Sequence, residues 1–446
     1  MVDRIEPFRQ SRRSATIGNQ RDGIALGVVL VLGSSLTMIS MSLFGAGLLL
    51  ALYQLVAALP WLWAIDSKGF RKALFDPLAW LYAGCTLVAG GAIMAFVLSY
   101  LREASVLEFY GRCYASVLHL QLILDFLILA PHLLILVWPK GGNVALAAFR
   151  EGWRQPMFWS LTGVALMLIV MSMVIPYFTF GDDYKMMKQL GFDTIMLSTA
   201  LFAVLAASTS IYEEIEGRTA ITVMSKPITR RQFLLGKYVG TLFVAAGMTM
   251  ILGWVLNWAL YTKPYFDRLD EVRDQMPIEL SQSLTPLMRY LVPGAEGAAW
   301  AGGMAQWIGE TIAHSFGLLL GFGQVMVLLA IATSLATRMA FVINIVICVV
   351  VFFLGHLSPV LVQVTQSFSQ QGESSPLLLV SFIAQLFDAI LPALEFFSMG
   401  PAIIRDSPLE FGPFAFYVLT VFGYSVIYTG IALLIGLILF EDRDLA

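Results

Sequence analysis

Charged residues are scarce in this chain of 446 residues. Only 13% are Asp, Glu, Lys or Arg, whereas 58% are hydrophobic and the mean hydropathy is +0.79. An ordinary soluble domain carries about 25% charged residues. The composition therefore excludes a soluble globular protein and predicts an all-α polytopic membrane protein.

Other absences narrow the possible functions. The net charge of -3 gives no argument for a nucleic-acid partner. The three cysteines, Cys85, Cys113 and Cys348, are far apart in sequence and indicate neither a disulfide framework nor a CxxC metal or redox site. No GxxxxGK[ST] phosphate loop occurs, because Gly236-Lys237 is followed by Tyr238. With no legible Ser/His/Asp or Cys/His arrangement either, we predict that the chain is not an enzyme and binds no cofactor or metal.

Apolar stretches of about 20 residues, the length that spans a bilayer as a helix, predict about ten transmembrane helices. Residues 1–23 are polar, unlike a cleavable signal peptide, and predict a cytoplasmic tail. Four spans follow in an N-terminal extension, 24–140, and six in a second domain, 141–446. The predicted spans are 24–42, 42–65, 77–101, 114–138, 158–178, one ending near residue 210, 236–262, 311–336, 340–357 and 413–440.

An amphipathic helix is predicted at the start of the second domain, over residues 143–155. Asn143 is a good N-cap residue. The apolar face carries Leu146, Phe149 and Trp153, and the polar face carries Arg150, Glu151, Arg154 and Gln155. Aromatic residues on one face and arginines on the other are typical of a helix that lies along the membrane surface.

Two further segments interrupt the pattern of spans. Residues 263–310 hold seven carboxylates and four basic residues, and we predict an outer segment that is partly helical. Residues 376–398 are apolar but contain Asp388, Pro392 and Glu395. We predict a re-entrant or outer-leaflet helical element within 374–400, buried against protein; a full crossing would move the C-terminus to the other side.

The uneven distribution of charged residues predicts the orientation of the spans in the membrane. With both termini inside, the inner segments hold 18 Lys and Arg and the outer segments hold 9, whereas 12 acids are inside and 17 outside. This follows the positive-inside rule. It predicts cytoplasmic termini and places the polar segment 211–240 in the cytoplasm.

Segment 211–240 is the densest polar interruption in the chain. On a helical wheel, one arc holds Arg218, Thr219, Thr222, Ser225 and Lys226, and the opposite arc holds Ala220, Ile221, Val223, Met224 and Ile228. This predicts a short amphipathic helix that ends near Lys226, because Pro227 disfavours helical geometry in the residue before it. Glu213, Glu214 and Glu216 precede it, where negative charge is favourable. An ordinary interfacial helix with a solvated charge run would show the same pattern.

The order of residues in this segment resembles the signature loop of type-2 ABC transporter permeases. The residues that carry the resemblance are Glu214, Ile215, Glu216, Arg218, Thr219, Ser225, Lys226, Pro227, Ile228, Arg230, Phe233, Leu234, Leu235, Gly236 and Lys237. The resemblance extends over 143–446: an elbow helix (143–155), six spans, a coupling loop (211–235) between the second and third, and a membrane-dipping element before the last.

The resemblance implies a function. The chain would be the permease subunit of an ABC transporter in the cytoplasmic (inner) membrane, working with two ATPase subunits, which bind ATP and Mg, and with a second permease chain, identical or related. The family's coupling helix docks in a cleft of the ATPase. The implied interface residues are Glu213, Glu214, Glu216, Arg218, Thr219, Ile221, Thr222, Met224, Ser225, Lys226, Pro227 and Arg230. The direction would be export, of a substrate that the resemblance does not specify.

The N-terminal extension lies outside the usual six-span unit. It could be a second packing layer, a regulatory module or a docking site for another subunit. Its fourth span carries Asp125 and His132, seven residues apart and hence on one face. An ionisable pair at bilayer depth indicates either a proton relay or metal site, as in a membrane-embedded enzyme or proton-handling protein, or a buried polar contact between spans.

Overall fold

The computed structural model describes residues 41–175, 183–217, 228–266, 278–369, 382–383, 385–386, 390–400 and 410–442. These residues form α-helices joined by short connections. The helices are α1 (Met41–Ile65), α2 (Ser67–Ala73), α3 (Pro77–Leu101), α4 (Ala104–Val137), α5 (Pro139–Arg154), α6 (Pro156–Ser172), α7 (Asp183–Glu216), α8 (Arg230–Phe266), α9 (Ile278–Leu291), α10 (Ala295–Ala336), α11 (Phe341–Ser369) and α12 (Phe411–Glu441), with a 3-10 turn at Leu394–Phe397.

The helix lengths confirm a polytopic all-α membrane protein. Within the described ranges, seven helices are long and apolar enough to cross a bilayer, or up to eight if the bent pair α5 and α6 forms one span. These two helices meet at an angle of 58°. The first predicted span lies almost wholly outside the described residues, and α11 contributes a shorter apolar stretch, Phe341–Leu357. The total of ten spans stays a prediction.

Local sequence signals set the start of α3 where we predicted it. The Asp76 side chain accepts a hydrogen bond from the backbone N–H of Leu78 (2.9 Å), and Pro77 occupies the first turn. A capping carboxylate satisfies an N–H that has no partner within the helix, and proline at this position gives up no hydrogen bond. The same chemistry starts α2, where Asp66 accepts from the N–H of Gly69 (2.9 Å).

The predicted start of the amphipathic helix is wrong. The helix, α5, begins at Pro139, and Asn143 lies inside it, with its Nδ2 donating to the carbonyl of Pro139 (2.6 Å). Proline is favourable in a first helical turn, so Pro139-Lys140-Gly141-Gly142 starts a helix rather than separating two elements.

Several helices continue beyond the spans that hydropathy marks. α7 extends to Glu216 instead of ending near residue 210, and α8 begins at Arg230 instead of 236. α10 starts at Ala295, so that, with α9, much of the described part of 263–310 is helical. At about 1.5 Å per residue, the 42 residues of α10 extend about 63 Å, twice the thickness of a hydrocarbon core.

The chain divides into two compact units, and their limits differ from those of the predicted domains. Of the described residues, one unit comprises 41–59, 66–114 and 285–305. In it, α1 and α3 touch through small residues, since a Cβ on Gly47 would lie 2.7 Å from the backbone nitrogen of Ala95. Tyr114 also donates to the carbonyl of Leu50 (2.6 Å). The close approach is typical of helix packing in membranes.

The other unit comprises the described residues that fall within 60–65, 115–284 and 306–446. Its core forms where α7, α8 and α10 pack together, with fully buried residues such as Phe202, Leu252 and Val325. A buried amide supports this packing: Asn344 of α11 donates from Nδ2 to Ser208 Oγ and to the carbonyl of Ala332, both at 2.9 Å. The core therefore fixes α7 and α8, which flank the polar segment.

Candidate functional site

A buried lysine joins the two helices that flank the predicted coupling loop. The side chain of Lys237, on α8, is only 5% exposed. Its ammonium lies 2.5 Å from Glu214 Oε1 on α7 and 2.9 Å from Glu151 Oε2 on α5, and it donates to Ser210 Oγ at 2.7 Å. We call these four residues the Lys237 cluster. A buried ammonium is tolerated only when it is paired and hydrogen-bonded, and this one is satisfied by three side chains from two neighbouring helices.

Two glycines bring α5 directly onto α8. Gly236 and Gly240 lie four residues apart and hence on one face of α8. A Cβ on Gly236 would lie 2.7 Å from Val144 Cβ, and one on Gly240 would lie 2.6 Å from Ala148 Cβ. The face of α5 that is buried is therefore its small-residue face, Gly141, Val144, Ala145, Ala148 and Gly152. This packing holds Glu151 within reach of Lys237.

The five residues predicted for the elbow helix lie on the remaining surface of α5. Arg150 and Arg154 are exposed, as the polar face predicts. Leu146, Phe149 and Trp153 are partly buried, and the Trp153 ring lies 4.7 Å from that of Phe158, at the start of α6. Their membrane-surface role stays a prediction.

The start of α8 carries a reciprocal cap. The backbone N–H of Thr229 donates to Gln232 Oε1 (3.1 Å), and the N–H of Gln232 donates to Thr229 Oγ1 (3.2 Å). This is a capping box, which satisfies two N–H groups at the helix start. It fixes where the loop ends and the rigid helix begins.

Two arginines hold the end of α12, one at the start of α8 and one in the turn between α10 and α11. Arg230 donates from Nη1 to the carbonyls of Phe440 (2.8 Å) and Glu441 (2.6 Å), and Arg338 donates from Nε to the carbonyl of Leu439 (2.8 Å). The last carbonyls of a helix have no partner within it and carry partial negative charge. The first residue of α8 is thus bound to the end of the last helix.

The predicted interface residues fall into three groups. Glu213 and Glu216 lie on the last turn of α7 and are exposed. Glu214 and Arg230 have partners within the chain, described above. The remaining predicted residues, Arg218, Thr219, Ile221, Thr222, Met224, Ser225, Lys226 and Pro227, lie outside the described residues. The interface itself stays a prediction.

The structure does not bring Asp125 and His132 together. Asp125 is buried, and His132 lies beside the carbonyl of Ile128 (Nδ1 to O, 2.6 Å) with its ring 4.7 Å from that of Trp63. No hydrogen bond or ion pair joins the two, and the described ranges hold no group of three metal-ligating side chains. The proton-handling or enzymatic alternative has no further support from this geometry.

Two signals that sequence reasoning missed were present in the chain. Gly236 and Gly240 form a GxxxG pattern, which indicates close helix packing in a membrane. Thr229 and Gln232 form the T-x-x-Q pattern of a capping box. Together they could have placed the start of α8 at residue 230 and predicted a helix packed on its first turns.

Comparison with known families supports the resemblance over part of the chain. Residues 153–268 match the model of the ABC-2 family transporter protein. The match covers the end of α5, then α6, α7, the loop and α8. No curated protein matches the chain.

The match supports a multi-pass membrane permease of an ABC transporter rather than an enzyme. It contains Ser210, Glu214 and Lys237 of the Lys237 cluster and the whole predicted coupling loop. The segment from residue 153 to residue 268 therefore resembles the ABC-2 transporter permeases, as the order of residues around the loop predicts.

Proposed function

We propose that this chain is the membrane-spanning subunit of an ABC transporter in the inner membrane and that it exports its substrate with energy from ATP hydrolysed on a separate ATPase subunit. The family match over residues 153–268 supports the permease role. The ATPase would dock on the loop between α7 and α8, on the cytoplasmic side where both termini also lie. ATP and Mg would bind to that subunit. Two ATPases and a second permease chain, identical or related, would complete the complex.

The Lys237 cluster carries the mechanical part of this proposal. A docked subunit that moves the loop applies force to its two ends, which are the end of α7 and the start of α8. Because Lys237 binds Glu214 of α7 and Glu151 of α5 at once, these three helices would move as one body. Packed helices respond to displacement as units, so the motion would reach the transmembrane parts of α7 and α8.

The same geometry refines which acids face the partner. Glu213 and Glu216 are exposed on the last turn of α7, whereas the Glu214 side chain is only 26% exposed and lies against Lys237. Carboxylates at an interface contribute mainly through complementary charge on the partner. We therefore assign the docking contact to Glu213 and Glu216, and the internal linkage to Glu214.

Charge reversal tests this assignment. The affinity-tagged full chain is purified from its own cells, and the proteins that accompany it are identified together with their ATPase activity. The wild-type chain is expected to retain a P-loop ATPase. The double variant Glu213→Lys, Glu216→Lys should retain at least about tenfold less, because like charges placed across an interface cost several kcal/mol.

The control is Glu410→Lys, a charge reversal at an exposed residue before α12, on the predicted outer side. It should retain as much ATPase as the wild type does. Absence of any P-loop ATPase from the wild-type preparation would refute the permease proposal. Equal recovery with the double variant would refute the docking assignment alone.

A further inference from the structure

A cavity of about 350 Å³ lies within the second unit, where α4, α8 and α10 meet. Most of its wall is apolar, with Phe126, Met250, Trp254 and Leu318 among the lining side chains. The lining residue of α8 nearest to Lys237 in sequence is Ala246, nine residues further along the helix, which corresponds to roughly 14 Å. The cavity is therefore separate from the Lys237 cluster.

One buried histidine in this wall has an unused hydrogen-bonding atom. His314 is 4% exposed, and its Nδ1 lies 2.5 Å from Asn257 Oδ1. Asn257 Nδ2 in turn lies 3.4 Å from Thr311 Oγ1, which orients the amide with its oxygen towards the histidine. An amide oxygen can only accept, so Nδ1 carries the proton and Nε2 is left as an acceptor. Nε2 is buried and has no partner within the described part of the chain.

The residues that line the cavity limit which kind of ligand could donate a hydrogen bond to His314 Nε2. Among the described residues that line the cavity, none is Asp, Glu, Lys or Arg. An ammonium group would be buried there without a counter-charge, which is unfavourable. A neutral ligand with a hydroxyl donor avoids this cost. His119, from α4, offers a second buried ring nitrogen, Nδ1, also without a partner in the described residues.

The volume sets the size of such a ligand. Pockets for small molecules begin at about 300 Å³, and an apolar cavity of about 150 Å³ holds benzene. The cavity therefore has room for a molecule of two rings. We propose that it binds a small, largely apolar alcohol or phenol, whose hydroxyl donates to His314 Nε2 while its rings pack against Trp254 and Leu318.

Two photoreactive probes of equal shape test this site. 4-(Hydroxymethyl)benzophenone carries the hydroxyl donor, and 4-ethylbenzophenone replaces that hydroxyl with a methyl group. The purified full chain in lipid nanodiscs is irradiated with each, and the labelled peptides are identified by mass spectrometry. Both probes should label residues of the cavity wall saturably. Half-saturation should need about tenfold less of the alcohol, the factor expected for one hydrogen bond to a buried acceptor.

Three variants show whether His314 causes the difference between the two probes and whether both bind in the cavity. In His314→Leu the ratio between the two probes should fall to about one, while the ethyl probe still labels the wall. His356→Leu, the same change on α11 at a residue outside the cavity lining, should keep the tenfold ratio. Ala246→Phe, which fills the cavity without altering His314, should abolish saturable labelling by both probes.

Equal half-saturation of the two probes in the wild type would overturn the proposal, as would a tenfold ratio that survives His314→Leu. Absence of saturable labelling would show that the cavity takes up water only, and it would overturn the proposal as well. Saturable labelling that persists in Ala246→Phe would place the binding elsewhere. None of these outcomes depends on whether an ATPase accompanies the chain.

Discussion

Replacing Lys237 with methionine should destabilise the protein by about 2–4 kcal/mol. The change keeps the length of the apolar stem but removes the ammonium, so that Glu214 and Glu151 remain near each other without a cation. Removing one partner of a buried pair costs about 3–5 kcal/mol. The Glu151 side chain is 41% exposed and that of Glu214 is 26% exposed. Water therefore screens part of the charge on both carboxylates. For this reason we expect about 2–4 kcal/mol, which is less than the cost of breaking a fully buried pair.

Thermal unfolding of the purified chain measures this cost. Cys348 is buried, so its thiol reacts with a fluorogenic maleimide only when the bundle opens. Cys85 and Cys113 are replaced with serine to remove background. Lys237→Met should lower the unfolding midpoint by several degrees relative to this parent.

A double-mutant cycle shows whether charge is the cause. Adding Glu214→Gln to Lys237→Met removes the uncompensated carboxylate and should recover about half of the loss, because coupled residues depart from additivity. A cost below about 0.5 kcal/mol for Lys237→Met, the range of ordinary surface changes, would refute the role we give to the Lys237 cluster. Failure of the second substitution to recover any stability would refute the electrostatic explanation.

Three further changes test the elements around the loop, each by the same unfolding measurement. Gly240→Leu should cost about 3 kcal/mol because its side chain would displace α5. Gly163→Leu, where a Cβ meets nothing within 4 Å, should cost little. Similar losses for the two variants would contradict the packing of α5 on α8. Arg230→Ala should cost about 1–2 kcal/mol, because two carbonyls of α12 would lose their hydrogen bonds. Arg231→Ala, at a side chain that is 68% exposed, should cost under about 0.5 kcal/mol. A larger cost for Arg231→Ala than for Arg230→Ala would contradict the role we give to Arg230. Thr229→Ala should cost about 1 kcal/mol through loss of the cap, and an unchanged midpoint would exclude that cap as stabilising.

The parts of the fold that follow from the sequence are those with a local cause. The span predicted to begin at residue 77 starts there in the structure, because Asp76 caps α3 and Pro77 occupies its first turn. The lengths of apolar stretches likewise predicted a polytopic all-helical protein, which the structure confirms. In both cases the residues that determine the outcome are neighbours in the chain.

Local reasoning failed where distant residues decide the outcome. The amphipathic helix predicted from residue 143 left out Gly141 and Gly142, but they are buried small residues of the same helix, whose buried face packs on α8. A prediction from hydropathy also places the end of each span where polar residues begin. It could not show that α7 and α10 continue as helices beyond the apolar core, because packing supports their polar turns.

In the candidate site, too, the sequence predicted what depends on neighbouring residues and missed what depends on distant ones. The order of residues in 211–240 identified the right segment, and the family match covers it. The role of Lys237 was hidden, because a lysine after a loop has the same appearance in a sequence whether it faces water or a buried carboxylate. Its partners lie 27 residues away at Ser210 and 86 residues away at Glu151. Only the folded chain brings them together.

That separation of 86 residues also sets an order of events during synthesis. At about 5–20 residues per second, the ribosome needs roughly 4–17 seconds after Glu151 to reach Lys237. During this interval α5 has neither its cation nor the glycine face of α8 to pack against. The elbow region is therefore completed late, when α8 enters the membrane, and a chain that stops before residue 237 leaves Glu151 without this partner.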